Sequence, residues 1–114
     1  MRFAILCTLR KDSDPARMAL RLRHLEYIRD HREMIVFGGP TIDAQGQPEV
    51  MILVIDAADA LGAERFITKE PYTASGQVFA STVIRPWAQV MPEPSTGALA
   101  GEIAREQQKR QRGM

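Results

Sequence analysis

The sequence predicts one α+β domain, a four-stranded antiparallel sheet with two helices on one of its faces. Three observations predict it. Four short segments carry apolar runs or apolar alternation at period two. Two segments between them repeat apolar residues at helical spacing. Their order along the chain is strand, helix, strand, strand, helix, strand. At 114 residues and 45% hydrophobic content, the chain suits one domain with its own core.

The first strand spans residues 2–9, with Phe3, Ile5, Cys7 and Leu9 on one face and Ala4, Leu6 and Thr8 on the other. Lys11-Asp12-Ser13-Asp14-Pro15 is a turn leading into a helix, with Asp14 as the expected N-cap and Pro15 as its first residue. Met18, Leu22, Leu25 and Ile28 then form the stripe that this helix should bury, to about His31. Met34–Phe37 is the second strand, stopped by Gly38-Gly39-Pro40, and 38–49 is expected to be a long loop. Val50–Ile55 is the third strand. Asp56 or Asp59 caps a second helix with Ala60, Ala63, Phe66 and Ile67 inward, and this helix must end before Pro71. Gln77–Arg85 is the fourth strand, closed by Pro86-Trp87. The arrangement is the ferredoxin-like βαββαβ unit.

The second and third strands are apolar on both faces, whereas helices on one side cover only one. A second copy packed sheet to sheet covers the other, so the expected assembly is a two-fold homodimer. The competing cover is the C-terminal segment. Pro92–Gly97 is a linker by composition. Ala98–Arg112 could form a helix, but only Leu99 and Ile103 make an apolar pair at helical spacing and it ends in Lys109-Arg110-Gln111-Arg112, so a solvated or frayed basic helix is expected.

Fifteen basic and fourteen acidic residues give a formal charge of +1, so no footprint for nucleic acid or an anionic membrane is expected. The apolar runs are too short to cross a bilayer, and the first is followed at once by Arg10, Lys11 and Asp12, unlike a signal peptide. A cytoplasmic protein is expected. The single cysteine, Cys7, has no intrachain partner and reads as a buried small hydrophobe. His24 and His31 lie two helical turns apart, ~10.5 Å along the axis, too far to share a metal. The Gly38-Gly39-Pro40 turn lacks the spacing of a phosphate loop. No metal and no cofactor are expected.

One acid–base site can be read from the residues. Arg21 projects inside the apolar stripe of the first helix, and His24 sits at its edge, as at the lip of a pocket. The plainer reading has Arg21 snorkelling and His24 bonded to a nearby carbonyl. His31, at the helix end, suits the negative end of the dipole and is a cap. In Lys69-Glu70-Pro71-Tyr72, proline fixes a corner from which Glu70 and Tyr72 project. A carboxylate within reach of an imidazole would hold its tautomer and raise its basicity. Ser81, on the fourth strand with Phe79 and Val83, is a further candidate for orienting a ligand.

Four motifs in order resemble the YCII-related (YciI-like) family of the dimeric α+β barrel superfamily. They are Arg21-Leu22-Arg23-His24-Leu25-Glu26-Tyr27 for its Arg-x-x-His-Leu helix, Phe37-Gly38-Gly39-Pro40 for its Ala-Gly-Pro turn, Glu70-Pro71-Tyr72 followed by Gly76 for its Asp-Pro-Tyr/Phe turn, and Ile84-Arg85-Pro86-Trp87 for its closing strand. The resemblance covers residues 1–91 and leaves 92–114 as linker and tail. It implies a ferredoxin-like dimer whose cleft holds a histidine and an aspartate as a dyad. By position these are His24, with Arg21 a turn before it, and Glu70 in place of the aspartate, one methylene longer. Gly39 and Pro40 follow as cleft residues.

The expected function is a small enzyme transferring protons on a small cyclic or aromatic molecule, with lyase, isomerase or dehydrochlorinase-like chemistry. His24 would be base or acid, Glu70 its orienting partner, and Arg21 a clamp for an anionic or enolate oxygen, with Tyr72 and Ser81 lining the pocket. The alternative is a non-catalytic ligand-binding or regulatory module using the same cleft. A third possibility gives the tail an interaction role.

Overall fold

The computed structural model describes residues 1–113. Its elements are β1 (Arg2–Leu9), α1 (Asp14–Asp30), β2 (Ile35–Ile42), β3 (Pro48–Asp56), α2 (Ala60–Lys69), α3 (Pro71–Ser75), β4 (Phe79–Pro86) and α4 (Ala98–Arg112). The sheet order is β2-β3-β1-β4, with every pairing antiparallel. This is the ferredoxin-like arrangement that the element order predicts.

The core lies on one face of the sheet. Phe3, Ile5 and Cys7 of β1 and Met51, Leu53 and Ile55 of β3 share that face and pack with Ala63, Phe66 and Ile67 of α2 and Tyr72 of α3. Asp59 caps α2, its Oδ1 accepting from the Gly62 N–H at 2.8 Å. Of the predicted inner face of α2, only Ala60 is exposed, because it lies at the helix start.

Three expectations need correction. The N-cap of α1 is Ser13, buried and without a side-chain capping bond, while Asp14 is the first helical residue and pairs with Arg17. The stripe of α1 is turned away from the core. Met18, Leu22 and Leu25 are 63%, 70% and 45% exposed; of the predicted stripe only Ile28 packs on the core, where Ala16, Leu20 and Tyr27 join it. Periodicity finds an apolar face but not what covers it. Here the Tyr27 hydroxyl donates to the Phe66 carbonyl at 2.7 Å, locking that side of α1 onto α2.

The third correction is the long loop. β2 continues through Gly38, Gly39 and Pro40 to Ile42, so the connection shrinks to a tight hairpin. Asp43 Oδ1 accepts from the N–H groups of Gln45 and Gln47 at 2.8 and 2.9 Å, and Gly46 takes φ +81°. Pro40 is tolerated because β2 is an edge strand, where a missing N–H removes no ladder bond. Gly38 faces the core so closely that a Cβ there would meet Leu53 Cδ2 at 2.3 Å.

The other face of the sheet is apolar and incompletely covered. Phe37, Val54, Ala4 and Arg85 align across it, as do Ile52, Leu6 and Val83. Phe37 of β2 and Trp87, just past the end of β4, meet edge to face at 5.9 Å. Phe37, Val83 and Trp87 remain 41%, 36% and 39% exposed. The tail therefore leaves much of this face open. The radius of gyration is 17.8 Å, against roughly 13 Å for a compact chain of this size, because α4 projects from the body. Among the described residues no helix is long and apolar enough to cross a membrane.

Candidate active site

Residues 70–72 build the site from a chain corner. Pro71 forces Glu70 into extended geometry (φ −63°, ψ 131°), ending α2, and then serves as the first residue of α3. Glu70 thereby becomes the N-cap of α3, its Oε2 accepting from the Thr73 N–H at 3.2 Å and from the Thr73 hydroxyl at 3.4 Å. Its other oxygen points at α1. His24 Nδ1 donates to Glu70 Oε1 at 2.5 Å. Glu70 is fully buried, an expensive place for a carboxylate without such partners.

The Glu70 bond fixes the proton on Nδ1 and leaves Nε2 as the free nitrogen. Tyr72 stacks on the imidazole, with centroids 4.0 Å apart and planes within 7°, and Phe79 braces Tyr72 edge-on at 5.9 Å. Nδ1 and the ring plane of His24 are thus held.

The imidazole borders a cavity of about 430 Å³ between α1 and the sheet, within the usual size for a small-molecule site. Arg17, Arg21 and His24 line it from α1, Gly38, Gly39 and Pro40 from β2, and Tyr72 and Phe79 from the far side. Most other lining residues are aliphatic. Arg21, Tyr72, Gly39 and Pro40 all line this cavity. Ser81 does not: it is exposed on β4, across from Thr8, and is absent from the cavity wall. A register shift between Thr8 and Leu9 breaks the alternation that would put Ser81 on the same face as Phe79. Sequence reasoning missed Arg17, although it lies one turn before Arg21 and two before His24 on the same helix face.

Other titratable groups are structural. His31 caps α1, its Nδ1 donating to the Tyr27 carbonyl at 2.7 Å. Burial pushes the Cys7 thiol up to about 11, opposed by the Thr82 hydroxyl and reinforced by the Glu70 charge, so it is no nucleophile near neutrality. Burial also raises the Tyr72 phenol above its ordinary value, against the pull of Arg21 and Arg17, with Glu70 adding to the rise. It stays a proton donor at neutral pH. Among the described residues no three His, Cys, Asp or Glu side chains converge on a possible metal position.

A histidine–carboxylate pair beside a cleft in a ferredoxin-like α+β domain defines the class. The chain belongs to the YCII-related domain family, whose model matches residues 1–88. Among solved structures it is similar to 5-chloro-2-hydroxyhydroquinone dehydrochlorinase from Burkholderia phenoliruptrix, in complex with 2,5-dihydroxybenzoquinone. The identity is 25% and the TM-score 0.72, over 82% of this chain and 99% of that one. Two others are more distant. Rv0793 from Mycobacterium tuberculosis has 14% identity and a TM-score of 0.49, over 80% of this chain and 99% of that one. Atu4242 from Agrobacterium tumefaciens has 12% identity and a TM-score of 0.49, over 82% and 98%. No curated protein matches the sequence.

Proposed function

We propose that the protein is a cytoplasmic enzyme that moves protons on a small cyclic or aromatic molecule, with His24 as general base and acid. The observation that carries this reading is the buried Glu70 carboxylate bonded to the histidine of the cavity wall. In the forward step Nε2 takes a proton from a hydroxyl or ring carbon of the substrate. Glu70 stabilises the imidazolium that forms, and Arg21 holds the oxygen on which negative charge collects. Loss of a leaving group or return of the proton elsewhere completes the reaction. The likeness to a dehydrochlorinase of a chlorinated hydroxyhydroquinone supports elimination from such rings as the first chemistry to test.

We also infer a homodimer through the open sheet face, on the strength of its exposed Phe37, Val83 and Trp87.

The test is a panel of hydroxylated and chlorinated hydroquinones, followed by ultraviolet absorbance and chloride release, with wild type and His24→Ala. The expected result is turnover that drops by ~10²–10⁴-fold in the variant, the usual contribution of a positioned acid–base group. Undiminished turnover in His24→Ala would remove histidine from the mechanism. Saturable binding without turnover in the wild type would favour the non-catalytic module.

A further inference from the structure

The cavity wall carries hydrogen-bond donors and cations but no carboxylate. Its charged or titratable side chains are Arg17, Arg21, His24 and Tyr72, and Glu70 lies behind His24 with both oxygens engaged. Arg17 is held from outside, its Nη2 donating to Asp14 Oδ1 at 3.3 Å. Its Nε is buried with no partner, and the Tyr72 hydroxyl, on a residue only 5% exposed and beside the Arg21 guanidinium, has no acceptor for its proton. Native structures rarely leave such groups unsatisfied unless something else occupies the space. Two unpartnered donors lining one largely aliphatic cavity require an acceptor, and two guanidiniums favour one that is charged.

We propose that Arg17 Nε and the Tyr72 hydroxyl form an oxygen-anion subsite, so that the cavity's ligand is an apolar ring bearing a delocalised oxygen anion, a carboxylate or a phenolate. Arg17 thereby becomes a binding residue alongside Arg21. Aliphatic walls from Leu25, Ile28, Ile35 and Leu53 take the ring. The inference deepens the proposed acid–base function and rests on the same cavity, but it concerns recognition, not turnover.

The experiment titrates the intact protein with benzoate, with 4-nitrophenolate in mildly alkaline buffer, and with neutral benzamide. Calorimetry reads affinity, and the side-chain Nε–H signal of Arg17 reads contact. At least one anion should bind ten times or more tighter than benzamide and shift the Arg17 signal; which anion does so separates carboxylate from phenolate. Arg17→Met and Tyr72→Phe should each erase most of that preference, weakening the anions far more than benzamide. Equal binding of benzamide and both anions overturns the subsite, as does Tyr72→Phe binding the anions like wild type. Should Arg17→Met not fold, the wild-type ratio and Tyr72→Phe decide the matter, since that variant keeps the stacked ring. An anion preference without turnover of any ring substrate leaves the subsite standing and defeats the enzyme. Turnover without anion preference does the reverse.

Discussion

At Glu70 the two carboxylate oxygens serve different partners, one a catalytic candidate and the other a helix start. Glu70→Ala removes both and leaves His24 Nδ1 and the Thr73 N–H unmatched. We expect a loss of about 3 kcal/mol in urea unfolding, near the lower end for a broken buried pair because His24 keeps slight solvent access. Glu70→Gln separates the roles. Its amide oxygen can still accept from Thr73, which turns the amide N–H toward His24 and makes Nδ1 the acceptor. Nitrogen-15 NMR should then show the His24 proton moved to Nε2, with activity lost and most stability retained. An unchanged tautomer would mean that Glu70 does not govern it.

Cys7 supplies a second residue-scale prediction. Its thiol rises from 9.0 to about 11 on folding, chiefly through burial. Because the folded state favours the protonated form, that contribution is complete below pH 9 and is lost as pH climbs toward 11. Two units correspond to ~2.7 kcal/mol. The stability gap between wild type and Cys7→Ala should shrink by about that amount from neutral pH to about pH 11. A constant gap would show that the thiol does not ionise in a buried site.

Among the elements, β2 best shows how far sequence reading reached. The strands, both main helices and their order were legible because period-two and period-3.6 patterns report burial directly. The second half of β2 was not, because Gly38, Gly39 and Pro40 are breakers by local chemistry, and only the edge position of the strand makes them acceptable. The site divides the same way. His24, Arg21, Glu70 and Tyr72 could be placed from one helix face and one proline corner. Ser81 was misplaced because a register shift leaves no mark on spacing. Arg17 was overlooked as one more helical arginine, and only its buried, unpartnered Nε sets it apart. Gly38→Ala tests the strand itself. With Leu53 Cδ2 at 2.3 Å from the new Cβ, the core must shift, and we expect a loss of ~1–3 kcal/mol together with a narrower cavity. Unaltered stability would indicate that Leu53 simply rotates aside.

For the whole molecule the open question is what meets the second face of the sheet. Two rows, Phe37–Val54–Ala4 and Ile52–Leu6–Val83, run across three strands or more without a helix over them. Val54 and Ala4 are already buried there, whereas Phe37, Val83 and Trp87 stay partly exposed, and an apolar patch of that kind on a free monomer invites association. A two-fold axis parallel to the sheet, running between two copies, packs this face onto the same face of a second copy. α4 contributes little to this, since its sequence is charged around most of its circumference and it projects from the body. Removal of residues 92–114 should therefore leave a folded protein that sediments at twice its chain mass, with a smaller radius. Val83→Glu places a charge on this face from the edge strand β4, opposite Leu6, where pairing with a second copy would bury it against apolar neighbours. That variant should sediment as a monomer with its core intact. A wild type that sediments as a monomer would refute the dimer. A Val83→Glu variant that stays dimeric would move the interface elsewhere, and a truncated chain that falls apart into monomers would transfer its stability to α4.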